Sequence, residues 1–524
     1  MSSKILKISM IAATVAASFN AGAAIYNVYA YDPVDSNSET WGSAIQQSNV
    51  DCWGTDDCAV THDADHKIAF EEQRFQQGFE YRLEAPFLIE NGFEYLEDDR
   101  DGFDSYCRRY LDYADSLCDT WASRQYSQGY AREEGGDIEN SSAYVETNKV
   151  GSSTNNVVIN NFNDSGEVVG SYQESLSERT RGFESSTDNA FAGGDRSQAF
   201  AQQGNLTVGS VSTKSTRYGT DYTSQATVWD GSTAHDIKWA AGAGETGRSM
   251  PQGSARDLAN INGTDYAVGY NSDSDELPVA AVFDLSDLAN ITTTFVYPGG
   301  KSDYEDNFLN SLLTSVNDQG VAIGTAKYRT GNDGSINDRL FYVGDVTNNP
   351  SASWVSGGVF FTSANAKAGA INNHDEVVGQ VDREKHQETN SGKPRAKAAF
   401  IASLSGSSKA PIGGSSRYLD DLTYGSNGLA SNNDYRVIDA TDINDASVIS
   451  GTAYYCAGGF DSAAIDASCS AGAKLVAVKL VPINGTDESN ISARPQETSE
   501  VERNGAGFGI IALTLLGFIG FRRK

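Results

Sequence analysis

Asn317-Asp-Gln-Gly-Val-Ala-Ile-Gly324 and Asn372-Asn-His-Asp-Glu-Val-Val-Gly379 share one grammar, an Asn followed seven residues later by a Gly. The same pattern runs from Asn163 to Gly170, from Asn262 to Gly269 and from Asn444 to Gly451. A weaker copy, Gln202 to Gly209, has Gln in place of Asn. Repetition at this scale replaces one compact globule with a ring or stack of similar units.

The chemistry of one copy predicts a hairpin. The residue before the Asn is apolar (Phe162, Ile261, Val316, Ile371, Ile443) and ends a strand. An Asn side chain bonds the backbone two residues on and starts a tight turn. The third residue after it is Gly166, Asp265, Gly320, Asp375 or Ser447, in a place that calls for left-handed geometry. A Val/Ile/Ala pair then starts the returning strand, and the final Gly marks a close approach of another backbone. A third strand follows at Ala226–Trp229, Ala280–Phe283, Leu340–Val343, Ala398–Ile401 and Leu475–Val478. The Gly positions lie roughly 40 to 70 residues apart, which suits four-stranded blades and exceeds short-coil solenoids.

The predicted fold is therefore all-β, a β-propeller-like ring of about six to seven blades. Residues 141–483 supply the repeats. Residues 24–40 hold a strand at Ile25–Tyr31, expected to close the ring against 474–481. Residues 41–140 read as a Cys-rich, partly helical insertion between that strand and the first blade. Within it, Lys67–Phe75 and Tyr106–Cys118 space their apolar residues as short helices do.

The ends predict an address. Lys4 and Lys7, the apolar run Ile8–Ala17 and Ala21-Gly22-Ala23 form a secretory signal over 1–23, with cleavage after Ala23. Residues 484–504 read as a flexible linker. The apolar stretch 505–524 ends in Arg522-Arg523-Lys524, as a membrane anchor or sorting tail does. Six Cys form three close pairs by sequence, Cys52/Cys58, Cys107/Cys118 and Cys456/Cys469. An even count in an exported chain implies disulfides. Local pairing is preferred, and Cys52–Cys107 with Cys58–Cys118 is the rival.

The apolar-Asn-x-x-Gly-x-Val-Val-Gly segment followed by an Ala-Phe strand resembles the HAF-type extracellular repeat. The chain is similar to uncharacterised secreted proteins of marine gammaproteobacteria that carry it. Asn504-Gly505, the apolar run and the basic end resemble GlyGly-CTERM tails, with Asn-Gly where Gly-Gly is usual. That resemblance implies cutting near Asn504 and Gly505 by a sorting protease, export by type II secretion, and a place at the cell surface or outside it. The repeat resemblance implies a propeller-like fold and brings no catalytic residues with it.

The net charge of −31, with 70 acids against 39 bases, argues against nucleic-acid partners. Candidate metal residues are few. His62 and His66 stand four apart, as Zn²⁺ ligands on one helix face do, without a third ligand nearby. Asp99 and Asp101 fall at calcium-loop spacing after Glu97, but Arg108 stands where the bidentate Glu belongs. No cofactor other than such a Ca²⁺ is expected. The function expected is that of a surface or secreted interaction or structural protein with a surface, matrix or glycan partner. The alternative is a secreted hydrolase or lyase that acts on polysaccharide with propeller-face carboxylates.

Overall fold

The computed structural model describes residues 23–56, 58, 66–75, 99–152, 154–173, 181–191, 193–214, 222–244, 251–425 and 431–496. Seven four-stranded antiparallel sheets make up the ring. Their inner strands are Glu39–Ile45, Val158–Phe162, Arg196–Gln203, Gly253–Ile261, Phe308–Val316, Ala366–Ile371 and Tyr435–Ile443, for blades I to VII in that order. Each inner strand touches the next, and the inner strand of blade VII touches that of blade I. Apolar clusters fill the gaps between adjacent sheets, such as Val268, Phe308 and Phe341 between blades IV and V.

Blade VII takes its fourth strand from the start of the chain. Tyr26–Tyr31 lies antiparallel to Lys474–Pro482, with Tyr26 opposite Pro482 and Tyr31 opposite Ala477. The ring is thus closed by hydrogen bonds between the two ends of the fold.

Four of the five Asn form one device. The Oδ1 of Asn317 accepts the N–H groups of Gln319 and Val321 at 3.1 and 2.9 Å. Asn163, Asn372 and Asn444 do the same to the residues two and four ahead. The turn residue takes positive φ at Gly166, Gly320, Asp375 and Ser447. The Asn amide then reaches the neighbouring blade. The Nδ2 of Asn317 donates to the Asn372 carbonyl at 3.0 Å, that of Asn372 to the Asn444 carbonyl at 3.0 Å, and that of Asn444 to the Gln46 carbonyl at 2.9 Å. In blade II the acceptor is Gln202 of blade III, at 2.6 Å. Asn262 differs. It stands with Gly263 at the tip of a two-residue hairpin, both at positive φ, with Ile261 paired to Thr264.

The final Gly of each copy faces a bulge in the inner strand. A Cβ on Gly379 would lie 2.1 Å from the Lys367 carbonyl oxygen, and one on Gly324 2.1 Å from that of Leu312. The register skips one residue there, between Ala368 and Ala370 and between Leu313 and Ser315.

Several expectations change. The segment 41–140 is not wholly an insertion. Glu39–Ile45, Ile68–Gln73, Ser141–Val145 and Asn148–Lys149 are blade I. The helical part therefore hangs from inside blade I, between its second and third strands. Lys67–Phe75 holds a strand rather than a helix, because every residue from Ile68 to Gln73 is buried between neighbouring sheets. Glu71 and Glu72 are buried with it, and Glu72 accepts the N–H groups of Val34 and Asp35 at 3.1 and 2.9 Å. The second helical expectation corresponds to helices α1, Asp99–Tyr110, and α2, Asp115–Ala122. Residues 484–496 are no free tether. Arg494 packs over the Tyr424 ring and its N–H donates to Asp421 at 2.8 Å, while Pro495 accepts from Ile465 at 2.8 Å.

All three disulfides are local, Cys52–Cys58, Cys107–Cys118 and Cys456–Cys469, and the rival pairing is excluded. Among the described residues no helix is long and apolar enough to cross a membrane. The signal segment with Ala23 at its edge, and the tail with Asn504 and Gly505, fall at or outside the limits of the described residues.

Candidate functional site

The seven inner strands enclose a central cavity of about 1500 Å³. At one end sit the Asn turns, whose Asp164, Asp318 and Asp445 line the rim. These acids are partly engaged. Both Asp318 and Asp445 accept from the Asn373 amide at 2.9 Å. At the opposite end lie the loops between second and third strands. The helical insertion is one of them, and its Tyr106, Tyr113, Trp121 and Arg124 line the cavity. It is anchored across the ring to blade VI. Ala114 donates to the Gly392 carbonyl at 3.0 Å, and Asn390 donates to the Asp112 carboxylate at 3.0 Å. The Cys107–Cys118 bridge ties α1 to α2 beneath this contact.

Burial raises the proton affinity of four acids that line the cavity, Glu39, Asp257, Asp420 and Asp442, and two of them stand beside inner-strand bulges. Asp257 follows the bulge of blade IV and Asp442 that of blade VII. Burial pushes Asp442 up to about 7 despite hydrogen bonds from the Ile45 and Ile443 N–H groups, and the charge of Asp257 pushes the same way. Burial pushes Asp257 up to about 6, against hydrogen bonds from Val316, Ser315 and Leu258. Each carboxylate also joins two blades. One oxygen of Asp442 accepts the Ile45 N–H at 2.8 Å, and one of Asp257 accepts the Val316 N–H at 2.9 Å. Bulge geometry explains both roles, since the extra residue turns the next side chain toward the neighbouring inner strand.

The residues singled out earlier do not converge on this place. His62 lies outside the described residues. His66 is fully buried on blade I, with its ring 3.8 Å from the Cys52 sulfur and 3.3 Å from the Asn444 amide. Cys52, Cys58 and His66 are close enough to share an ion, but the sulfurs are joined to each other and offer no thiolate. Asp99 and Asp101 lie in the first turn of α1 rather than in a calcium loop. Asp99 takes positive φ, and Glu97, where that spacing begins, lies outside the described residues. The signal that could have marked Asp442 is its position two residues before Asn444. Ser315 and Ala370 hold the same place before Asn317 and Asn372. Asp257 was hidden because its hairpin is longer.

The strand arrangement is similar to that of several solved glycoside hydrolases. The alpha-L-arabinofuranosidase PaAbf62A from Podospora anserina, solved with cellotriose, is 13% identical over 53% of this chain and 87% of its own, with a TM-score of 0.23. The catalytic domain of a Coprinopsis cinerea GH62 alpha-L-arabinofuranosidase is 14% identical over 53% and 87%, with a TM-score of 0.23. The Bacillus subtilis arabinanase Arb43A is 11% identical over 53% and 91%, with a TM-score of 0.24. No residue or role is carried across at these scores. No curated protein matches the chain. Against the expectation of an interaction or structural protein with no evident catalytic site, these three solved structures are glycoside hydrolases. The family model described as protein of unknown function (DUF3466) matches residues 210–524, more than half of the chain, and the chain belongs to that family.

Proposed function

We propose that the protein is an exported enzyme that cleaves polysaccharide, as a hydrolase or lyase, within the central cavity. One observation carries this reading. The cavity holds two acids that exchange protons near neutrality, Asp257 and Asp442, toward its Asn-turn end, and aromatic side chains of the insertion line its opposite end. Glycoside hydrolysis needs one carboxyl that holds a proton and one that has lost it. Asp442, pushed to about 7, is the proton donor to the leaving oxygen. Asp257, pushed to about 6, is the ionised partner at neutral pH. Tyr106, Tyr113 and Trp121 offer flat apolar faces to sugar rings.

The address belongs to the same proposal. All six Cys are bridged, which supports an oxidising compartment. The HAF-type repeat, a marine gammaproteobacterial source, a cleaved signal after Ala23, and a GlyGly-type tail cut near Asn504 and Gly505 complete it. Type II secretion and a sorting protease are the partners implied.

The test is direct. The full chain purified from an export host is incubated with a panel of polysaccharides, and new reducing ends and unsaturated ends are measured. Asp442→Asn and Asp257→Asn are each expected to lower kcat by about 10²-fold or more, the usual share of acid–base catalysis. Folded protein that releases no ends from any polymer, or full activity in both variants, overturns the reading.

A further inference from the structure

The cavity wall formed by blades V and VI carries more positive charge than the ring needs. Lys327, Lys367, Arg383, Arg395 and Lys397 all line it, in a chain where 70 acids face 39 bases. Two of the five are committed. Arg395 and Lys397 both pair with the buried carboxylate of Asp382, and Arg395 also holds the His386 and Ser363 carbonyls at 2.6 and 2.7 Å. The other buried acid, Glu388, is filled by neutral donors. These are the Ser335 hydroxyl, the Asn365 amide and the Arg395 N–H, each at 2.8 Å.

Lys327 and Arg383 are different. Lys327 is only 6% exposed. Its ammonium donates to the Ile336 carbonyl at 2.7 Å and makes no ion pair within 4.0 Å among the described residues. An ammonium has three donors. Burial lowers its proton affinity, and the like charges of Lys367 and Lys397 act in the same direction. Asp338 and Glu388 oppose them from beyond ion-pair distance. Arg383 lies half-buried in the same wall, and its guanidinium makes no hydrogen bond or ion pair among the described residues. Glu384 and Asp420 feel its charge without touching it. A buried cation without an anion is strongly unfavourable. A guanidinium fork fits carboxylate, sulfate and phosphate in two parallel hydrogen bonds.

We propose that this wall is an anion subsite, and that the polymer entering the cavity is an acidic polysaccharide whose sugar carboxylates or sulfate esters pair with Lys327 and Arg383. This rests on the reading that a glycan occupies the cavity.

The experiment measures binding separately from cleavage. The full chain is titrated calorimetrically with polygalacturonate, with a sulfated galactan, and with neutral arabinan and xylan. At least one acidic polymer is expected to bind at least about tenfold more tightly than the neutral ones, the worth of one charge-assisted hydrogen bond. That affinity is expected to fall as salt rises from about 0.05 M to about 0.5 M. Lys327→Met and Arg383→Gln are each expected to weaken it about tenfold, with Arg383→Lys between Arg383→Gln and the parent. Two variants in different blades guard against misfolding in one. Preference between the carboxylated and the sulfated polymer identifies which anion is read. Equal binding of neutral and acidic polymers, or unchanged binding by both variants, overturns the subsite and leaves the glycan reading standing. Tight acidic binding without cleavage keeps the subsite and removes the enzyme. Folded protein that binds none of the polymers removes both.

Discussion

Replacing Asn372 with Ala tests whether the repeated Asn is a clamp between blades or only a turn former. Asn372 is 4% exposed and makes four hydrogen bonds. Its Oδ1 accepts from His374 and Glu376 at 2.9 and 3.1 Å. Its Nδ2 donates to Glu376 Oε2 at 2.7 Å and to the Asn444 carbonyl of blade VII at 3.0 Å. Each such bond is worth about 0.5–1.5 kcal/mol net, and a buried partner left unpaired adds to the loss. Asn372→Ala is therefore expected to destabilise by about 2–4 kcal/mol. Asn372→Asp should do no better at pH 7. It keeps the acceptor but aims a carboxylate at a carbonyl and at Glu376. Asp273 shows why charge alone is not the objection. It holds the same turn, accepting from Asp275 and Leu277, but its second oxygen receives the Tyr297 hydroxyl at 3.1 Å. Asn262→Ala is the control. That Asn makes no clamp and holds only a left-handed turn position, so about 1 kcal/mol is expected. Urea midpoints of the three variants, measured side by side with disulfides intact, give the comparison. If Asn372→Asp matches the parent, or Asn262→Ala costs as much as Asn372→Ala, the clamp is refuted.

Other outcomes follow from the same geometry. Gly379→Ala should destabilise by at least about 2 kcal/mol, since its Cβ would strike the Lys367 carbonyl, whereas Gly344→Ala, with open space around it, should stay within about 0.5 kcal/mol in the same denaturation assay. Asp257 and Asp442 both hold protons more tightly in the folded chain than in the unfolded one. Stability should therefore fall as pH rises from the ordinary carboxylate range to about 7, and thermal scans of Asp442→Asn should show a shallower fall. If the two acids act as proposed, cleavage against pH should be bell-shaped, rising near 6 and declining near 7, and a plateau through pH 8 would contradict the assignment. Replacing Cys107 and Cys118 with Ser should cost the insertion about 3 kcal/mol of local stability, visible as faster proteolysis within 99–134 while the ring's near-ultraviolet dichroism persists.

Blades II and V to VII were legible because each spells out a hairpin in local chemistry, Asn for the turn and Gly for the bulge. Blade I was not. Its first two strands are joined by a long disulfide-bearing connection in place of an Asn turn, and Phe70 stands where other blades have Gly. Its second strand carries Glu71 and Glu72 into the interior, so alternation of polar and apolar residues fails there. Asn262 was legible for the wrong reason. It keeps its distance from Gly269, but three further residues of inner strand move it from a clamp to a hairpin tip. The cavity was beyond reach of a local reading. Asp257 and Asp442 are 185 residues apart, and Tyr113 meets Gly392 only because the ring brings blades I and VI to one mouth.

The pairing of Tyr26–Tyr31 with Lys474–Pro482 also sets an order on synthesis. The strand that emerges first finds its partner only when almost the whole chain exists. Joining ends some 450 residues apart costs about 5 kcal/mol in chain entropy, so closure has to follow the assembly of the blades between them. Until then the outermost edge of blade VII stays bare, a template for any extended peptide. A chain cut short before residue 474 keeps its opening strand with nothing to pair with. Completion of the polypeptide is thereby read out as loss of a sticky edge.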